Sequence, residues 1–173
     1  ESPLRKSVYK VDPKGKVTCL SNRKGTNTAI FSTTMKYYLN VWSDINTPHI
    51  TALCDNKGKE LKVMEDNAAL CQTLTTLGLG TREFFKFTTS EGAELNGFMV
   101  RPADFNPAKK YPVVMFQYSG PGSQQVLDSW SAGNYGGAMF EQYLAQQGII
   151  SVVVDGRGTG GRGAAWEKCT YLN

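Results

Sequence analysis

Between residues 7 and 64 the chain is built of short runs in which apolar and polar side chains alternate, at 7–11, 17–20, 29–32, 37–43, 49–54 and 59–64. A two-residue period puts every second side chain on one face of an extended strand, so each run predicts a strand with one covered face. Asp12-Pro13-Lys14-Gly15, the stretch 22–25 and Asp55-Asn56-Lys57-Gly58 fall between the runs and carry the residues that tight turns require. Residues 1–66 therefore read as an antiparallel meander, the size of one or two four-stranded β-propeller blades. Such a piece covers its outer faces only by stacking on neighbouring blades.

Asp66 or Asn67 supplies a cap for a helix through Ala68, Ala69, Leu70, Leu74 and Leu77, and Gly78 and Gly80 supply its stop. Residues 67–80 thus form a connector, and beyond it the pattern changes. Residues 83–88 and 94–100 alternate like an antiparallel pair around Ser90-Glu91-Gly92, with Arg101-Pro102 closing the second strand. Tyr111-Pro112 then opens a nearly all-apolar run at 113–117. A Gly/Ser-rich loop over 118–133, a helical stretch at about 135–147 and a second apolar run at 149–154 follow. Two such runs joined through a helix predict parallel strands buried on both faces, a βαβ unit. The expected fold class is the last blade or blades of a β-propeller over 1–66, a linker helix over 67–80, and over 81–173 the N-terminal part of an α/β-hydrolase domain, an antiparallel hairpin followed by a parallel βαβ unit.

Composition narrows the function classes. The chain has 173 residues, 40% hydrophobic and 20% charged, the balance of an ordinary folded domain. Its longest apolar run, 149–154, is broken by Ser151 and falls far short of the roughly 20 residues of a membrane-spanning helix. No leader is visible at Glu1 and no tail composition precedes Asn173, so the sequence reads as a piece of something longer. The net charge of +4 belongs to the first 80 residues, which hold 11 Lys/Arg against 7 Asp/Glu. Arg5, Lys6, Lys10, Lys14 and Lys16 are scattered among turns, which argues against a nucleic-acid surface. Cys19, Cys54, Cys71 and Cys169 include no Cys-x-x-Cys pair, which argues against structural zinc. They read as single buried thiols, with a Cys19–Cys54 disulfide as the alternative in an oxidising compartment.

Two stretches carry a resemblance to a known family. From Val113 the chain runs VVMFQYSGPGSQ, a strand followed by a tyrosine and then Gly-Pro, with the match on Tyr118, Gly120, Pro121, Ser123 and Gln124. Asp155-Gly156-Arg157-Gly158 then leaves the next strand as Asp-x-Arg-Gly. Upstream, VTCLS, the KYY at 36–38, VMEDNAAL and KKYPV follow in matching order. The ordered set resembles the prolyl oligopeptidase family of serine peptidases, in its dipeptidyl peptidase IV branch, over nearly the whole chain. The resemblance implies a serine exopeptidase that releases Xaa-Pro or Xaa-Ala dipeptides from peptide amino termini through an acyl-enzyme. It implies no cofactor, peptide substrates with a penultimate Pro or Ala, a homodimer of the parent protein, and a periplasmic, secreted or cell-envelope location. A related oligopeptidase or acylaminoacyl peptidase, and a non-catalytic propeller-hydrolase scaffold, stand as alternatives.

The family's triad runs Ser, Asp, His, with the serine in a GxSxG elbow. None of Ser119, Ser123, Ser129, Ser131 and Ser151 stands between elbow glycines, and the sole histidine, His49, lies in the strand-rich half. The triad is therefore expected beyond Asn173, the acidic clamp for a substrate amino terminus before Glu1, and the isolated chain is expected to be inactive. What the resemblance assigns here is Tyr118, as a phenol donor to the oxyanion of the tetrahedral intermediate. Gly120, Pro121 and Gly122 are expected to turn the backbone beneath it. Asp155 and Arg157, at a strand's carboxyl end where open α/β sheets hold ligands, are expected to brace the loop or form an ion pair. Gly156-Arg157-Gly158-Thr159-Gly160-Gly161 also spells the GxGxxG of dinucleotide sites. The preceding strand is not the first of its sheet, and the acidic partner some 20 positions on would fall past the end, so the tract reads as a chance match. Trp130, Trp166, Tyr135 and Tyr143 read as core or interface aromatics.

Overall fold

The computed structural model describes residues 2–133 and 138–171. The chain divides into two units, one of Glu1–Thr73 with Asp128–Trp130, the other of Leu74–Leu127 with Ser131–Asn173.

In the first unit β1 (Tyr9–Val11) and β2 (Val17–Cys19) form an antiparallel hairpin. β3 (Thr26–Phe31), β4 (Tyr37–Ser43), β5 (Ile50–Asp55) and β6 (Glu60–Glu65) form a four-stranded antiparallel sheet in chain order. One turn chemistry serves twice. Asp12 accepts the main-chain N–H groups of Lys14 and Lys16, both at 2.9 Å, and Asp55 accepts those of Lys57 and Lys59 at 2.9 and 3.0 Å. Gly15 and Gly58 then take the positive φ, 82° and 87°, that lets each chain reverse. The core gathers Leu20, Tyr38, Ala52 and Cys54, with Val8, Ala29 and Phe31 packed against it.

β3 starts three residues before the alternation predicts, because its inward Asn27 is polar. The Asn27 amide donates to the Lys6 and Arg23 carbonyls at 3.1 and 3.0 Å and accepts from Asn40 Nδ2 at 3.0 Å, so a hydrogen-bonded polar side chain occupies a place where the pattern looks for an apolar one. The short segment Asp128–Trp130 is part of this unit. The Asp128 carboxylate accepts from Arg5 Nε at 2.8 Å and from the Ile45 N–H at 3.1 Å, and Trp130 donates its N–H to Ser43 Oγ at 3.2 Å.

α1 (Ala68–Thr76) uses both of its candidate caps. The Asp66 carboxylate accepts the Ala68 N–H at 2.9 Å, while Asn67, with φ 54°, offers its carbonyl to Cys71 at 2.9 Å. Gly78, with φ 59°, follows its last turn.

The second unit holds a mixed sheet in the order β7 (Arg82–Thr88), β8 (Glu94–Val100), β10 (Ile150–Asp155), β9 (Val113–Phe116). β8 pairs antiparallel with both β7 and β10, and β9 pairs parallel with β10, Val113 opposite Ile150 and Phe116 opposite Val153. α2 (Ala138–Gln146) lies between β9 and β10 in the chain and packs on β8 and β10; positions 135–137 of the expected helix lie outside the described residues. Phe98, Val100, Val126, Val153 and Val154 form the buried interior. The expectation that both parallel strands are buried holds for β10 and fails for β9, where Val113 and Met115 are 58% and 56% exposed. Among the described residues β9 pairs only with β10, so it is an edge strand, and Val113, Val114 and Met115 stay exposed while Phe116 is partly buried. α2 also fixes the chain leading into β7. Gln142 receives the Gly80 N–H at 2.9 Å and donates to its carbonyl at 2.6 Å, and Arg82 meets Glu141 at 2.9 Å in the interior. A short α3 (Ala164–Glu167) ends the described chain's regular structure.

Candidate functional site

Parallel pairing brings the carboxyl ends of β9 and β10 side by side, and the candidate residues stand on the two loops that leave them. Tyr118 follows β9 with its side chain 55% exposed. Its ring lies over Gly120, where an added Cβ would stand 2.7 Å from Tyr118 Cε1, so a side chain at 120 would push the ring from its seat. The sequence assigns the sharp turn to the glycines, but the left-handed residues are Ser119, with φ 49°, and Gly122, with φ 72°, while Gly120 serves to admit the ring. Pro121 lies exposed between the two glycines.

The Tyr118 loop is tied to the β10 loop along its length. Ser119 Oγ accepts the Gly156 N–H and the Gln117 Nε2–H, both at 2.9 Å. The Gly122 N–H reaches the Gly158 carbonyl at 3.2 Å, and the Gly160 N–H reaches that of Ser123 at 2.8 Å. Within the loop, Ser123 donates both its N–H and its hydroxyl to the Gly120 carbonyl. Asp155 is buried and accepts the N–H groups of Gln125 and Val126 at 2.9 and 3.0 Å. Burial pushes its carboxyl above the usual range, and the two N–H bonds act in the opposite sense.

Asp155 and Arg157 thus do separate work. Asp155 braces the loop, and Arg157 extends to Glu91 at 2.9 Å. Its guanidinium is held above its ordinary value by the Cys169 thiol and Glu91. The glycine tract also serves loop contact. A Cβ on Gly158 would meet Thr170 Oγ1 at 2.6 Å, and one on Gly161 would meet Gln124 Oε1 at 2.7 Å, so these glycines admit neighbouring side chains. His49 enters no such cluster; its carbonyl accepts from the Asn67 amide at 2.5 Å.

Ser119 escaped the sequence reading. In Tyr118-Ser119-Gly120-Pro121-Gly122, conformational preference puts a left-handed residue on a glycine, so nothing in the letters marks the serine. The thiol reading also needs correction. Cys54 is buried, but Cys19 is exposed because β1 and β2 form a hairpin whose residues are all exposed, and no disulfide joins the cysteines. Trp166 is half-buried beneath Arg162, whose guanidinium carbon lies 3.6 Å from the ring centroid, and Tyr143 lies exposed on α2. Tyr135 is outside the described residues. Among the described residues no group of three or more His, Cys, Asp or Glu is disposed to hold a metal ion, and no helix is long and apolar enough to cross a membrane.

Comparison with known proteins assigns the class. Residues 1–49 match the family described as the dipeptidyl peptidase IV N-terminal region. Dipeptidyl-aminopeptidase B of Aspergillus niger is 35% identical over 167 residues, 92% of this chain and 18% of its own. The chain is a dipeptidyl peptidase IV-like segment. Among solved structures it is similar to dipeptidyl peptidase 4 of Porphyromonas gingivalis, with a TM-score of 0.91 and 46% identity over 99% of this chain and 24% of that one. It spans about a quarter or less of the length of each of these proteins.

Proposed function

We propose that the parent protein is a serine-type dipeptidyl peptidase and that this segment supplies one donor of its oxyanion hole, the Tyr118 phenol. The observation that carries this reading is an exposed phenol at the carboxyl end of β9, on a loop tied down at Gly156, Gly158 and Asp155. Ligands of open α/β sheets bind beyond the carboxyl ends of the strands. An oxyanion donor must also be held in place before charge develops, since a preorganised dipole needs no reorganisation during the reaction.

In this reading residues 81–173 begin an α/β-hydrolase domain, 67–80 link, and 1–66 close a β-propeller. The nucleophilic serine, with its Asp and His, comes from the rest of the parent chain. Its oxygen attacks the carbonyl carbon of the second residue of a peptide, and histidine takes the serine proton. The carbonyl oxygen becomes an anion that accepts the Tyr118 hydrogen bond, and the amine then leaves with that proton as the acyl-enzyme forms. Water releases the dipeptide. The substrates are peptides with a penultimate Pro or Ala, and the parent is a homodimer of the cell envelope, periplasm or secreted fraction.

Tyr118→Phe in the full-length parent tests the assignment, because it keeps the ring and deletes only the donor. Loss of one oxyanion donor typically costs about 10²–10³ in rate, so on a Gly-Pro chromogenic substrate kcat is expected to fall at least about tenfold while KM moves little. A kcat/KM within about twofold of the parent, with an unchanged thermal melt, returns Tyr118 to a packing role.

A further inference from the structure

We infer that Ser119 is the positioning residue for Tyr118, its left-handed backbone and doubly hydrogen-bonded hydroxyl setting the direction in which the phenol leaves β9. The inference rests on the oxyanion reading of Tyr118 and names the device that aims the donor.

A positive φ on a residue with a Cβ is uncommon and persists only where its surroundings over-determine it. At Ser119, with φ 49°, those surroundings are visible. Its Oγ accepts two N–H groups at 2.9 Å, one from the main chain of Gly156 just past β10 and one from the side chain of Gln117 just past β9. One oxygen atom therefore ties the two strand ends together, one residue from Tyr118. The approach is close enough that a Cβ on Gly156 would stand 2.6 Å from that oxygen, so the glycine after Asp155 makes room for the serine. The turn at 119 in turn carries Gly120 back beneath the Tyr118 ring. With the two hydrogen bonds gone, φ at 119 is free to return to the common region, Gly120 swings away, and the phenol loses its seat. The reacting groups of an enzyme tolerate little such drift, since a misplacement of about 1 Å can cost about a hundredfold in rate.

The test uses the full-length parent and separate kcat and KM values on a Gly-Pro chromogenic substrate. Ser119→Ala removes the acceptor and is expected to lower kcat roughly tenfold with KM within about twofold, the signature of a displaced transition-state donor. Ser119→Asn, which tolerates the left-handed region and carries a carbonyl acceptor, is expected to recover most of that loss. Ser119→Gly keeps the backbone freedom without the acceptor and is expected to stay low. In the Tyr118→Phe background, Ser119→Ala is expected to add no further loss, because the donor it aims is already gone.

Parent-like kcat in a folded Ser119→Ala overturns the inference and leaves the Tyr118 reading intact. An equal loss with and without the Tyr118 hydroxyl overturns it too, since Ser119 would then act elsewhere. If Tyr118→Phe alone leaves kcat unchanged, the oxyanion reading falls, and any Ser119→Ala loss beside it is not exerted through that donor. Should Ser119→Ala fail to fold by thermal melt, the Asn and Gly variants decide, and equal kcat in the two rejects the hydroxyl's role.

Discussion

Three buried ionisable residues in the second unit, Asp155, Arg82 and Glu141, show how differently burial acts at single sites. Asp155 is an acid whose folded-state pKa lies above its unfolded one, chiefly through burial. The folded protein therefore holds this proton more tightly, and acidification through the interval between the two values favours the folded state at this site, opposite to a salt-bridged carboxylate. Asp155→Asn removes that contribution and leaves one of the N–H groups of Gln125 and Val126 without its acceptor, a loss of about 1–3 kcal/mol. Denaturant titrations of the parent at about pH 7 and about pH 4 are expected to find the variant less stable at neutral pH and losing more on acidification than the wild type. An equal or smaller acid loss would contradict the raised value. Arg82 and Glu141 are the opposite case, a paired charge with side chains 1% and 0% exposed. Burial draws the Arg82 guanidinium below its ordinary value and Glu141 works against that. Glu141→Leu strands the cation and is expected to cost about 3–5 kcal/mol, with Arg82→Met added to it restoring part of the loss; thermal melts of the three proteins measure this.

At the scale of elements, the strands with clean alternation were the legible ones. Tyr37–Ser43 and Glu94–Val100 fall where the pattern puts them, and both aspartate turns are readable because Asp and Gly are needed there for separate reasons. The early start of β3 was hidden by the Asn27–Asn40 pair, and the exposure of β9 was hidden because an apolar run reports what could be buried and says nothing of what covers it. The first unit has the same property. Val11, Val17, Ile30 and Met64 are exposed, while the core holds Tyr38 of β4, Ala52 and Cys54 of β5, and Leu20 just past β2. Hydrogen exchange on the isolated chain, verified as a monomer, is expected to be slowest at β4 and β5, which have strands on both sides, and fast at β1, β2 and β6. Uniformly slow exchange across residues 1–66 would count against the reading of this unit as blades that lean on absent neighbours.

For the whole molecule, the letters carried the dipeptidyl peptidase IV-like character through the order of several weak motifs, and the similarity over 99% of the chain bears that out. They gave the place of Tyr118 but not the atom beside it, because a serine hydroxyl bridging two strand ends depends on pairing between residues 113–116 and 150–153, which no local pattern encodes. In the proposed function the work is divided, with the oxyanion donor on this segment and the nucleophile on the rest of the parent chain. Labelling with an active-site fluorophosphonate, in parallel on the full-length parent and on this chain alone, separates the two roles. One label per parent chain is expected, with hydrolysis of a Gly-Pro chromogenic substrate lost as the label goes on, and no labelling or turnover by the segment above a denatured control. Stoichiometric labelling of the segment, or an active parent that takes no label, would contradict this division.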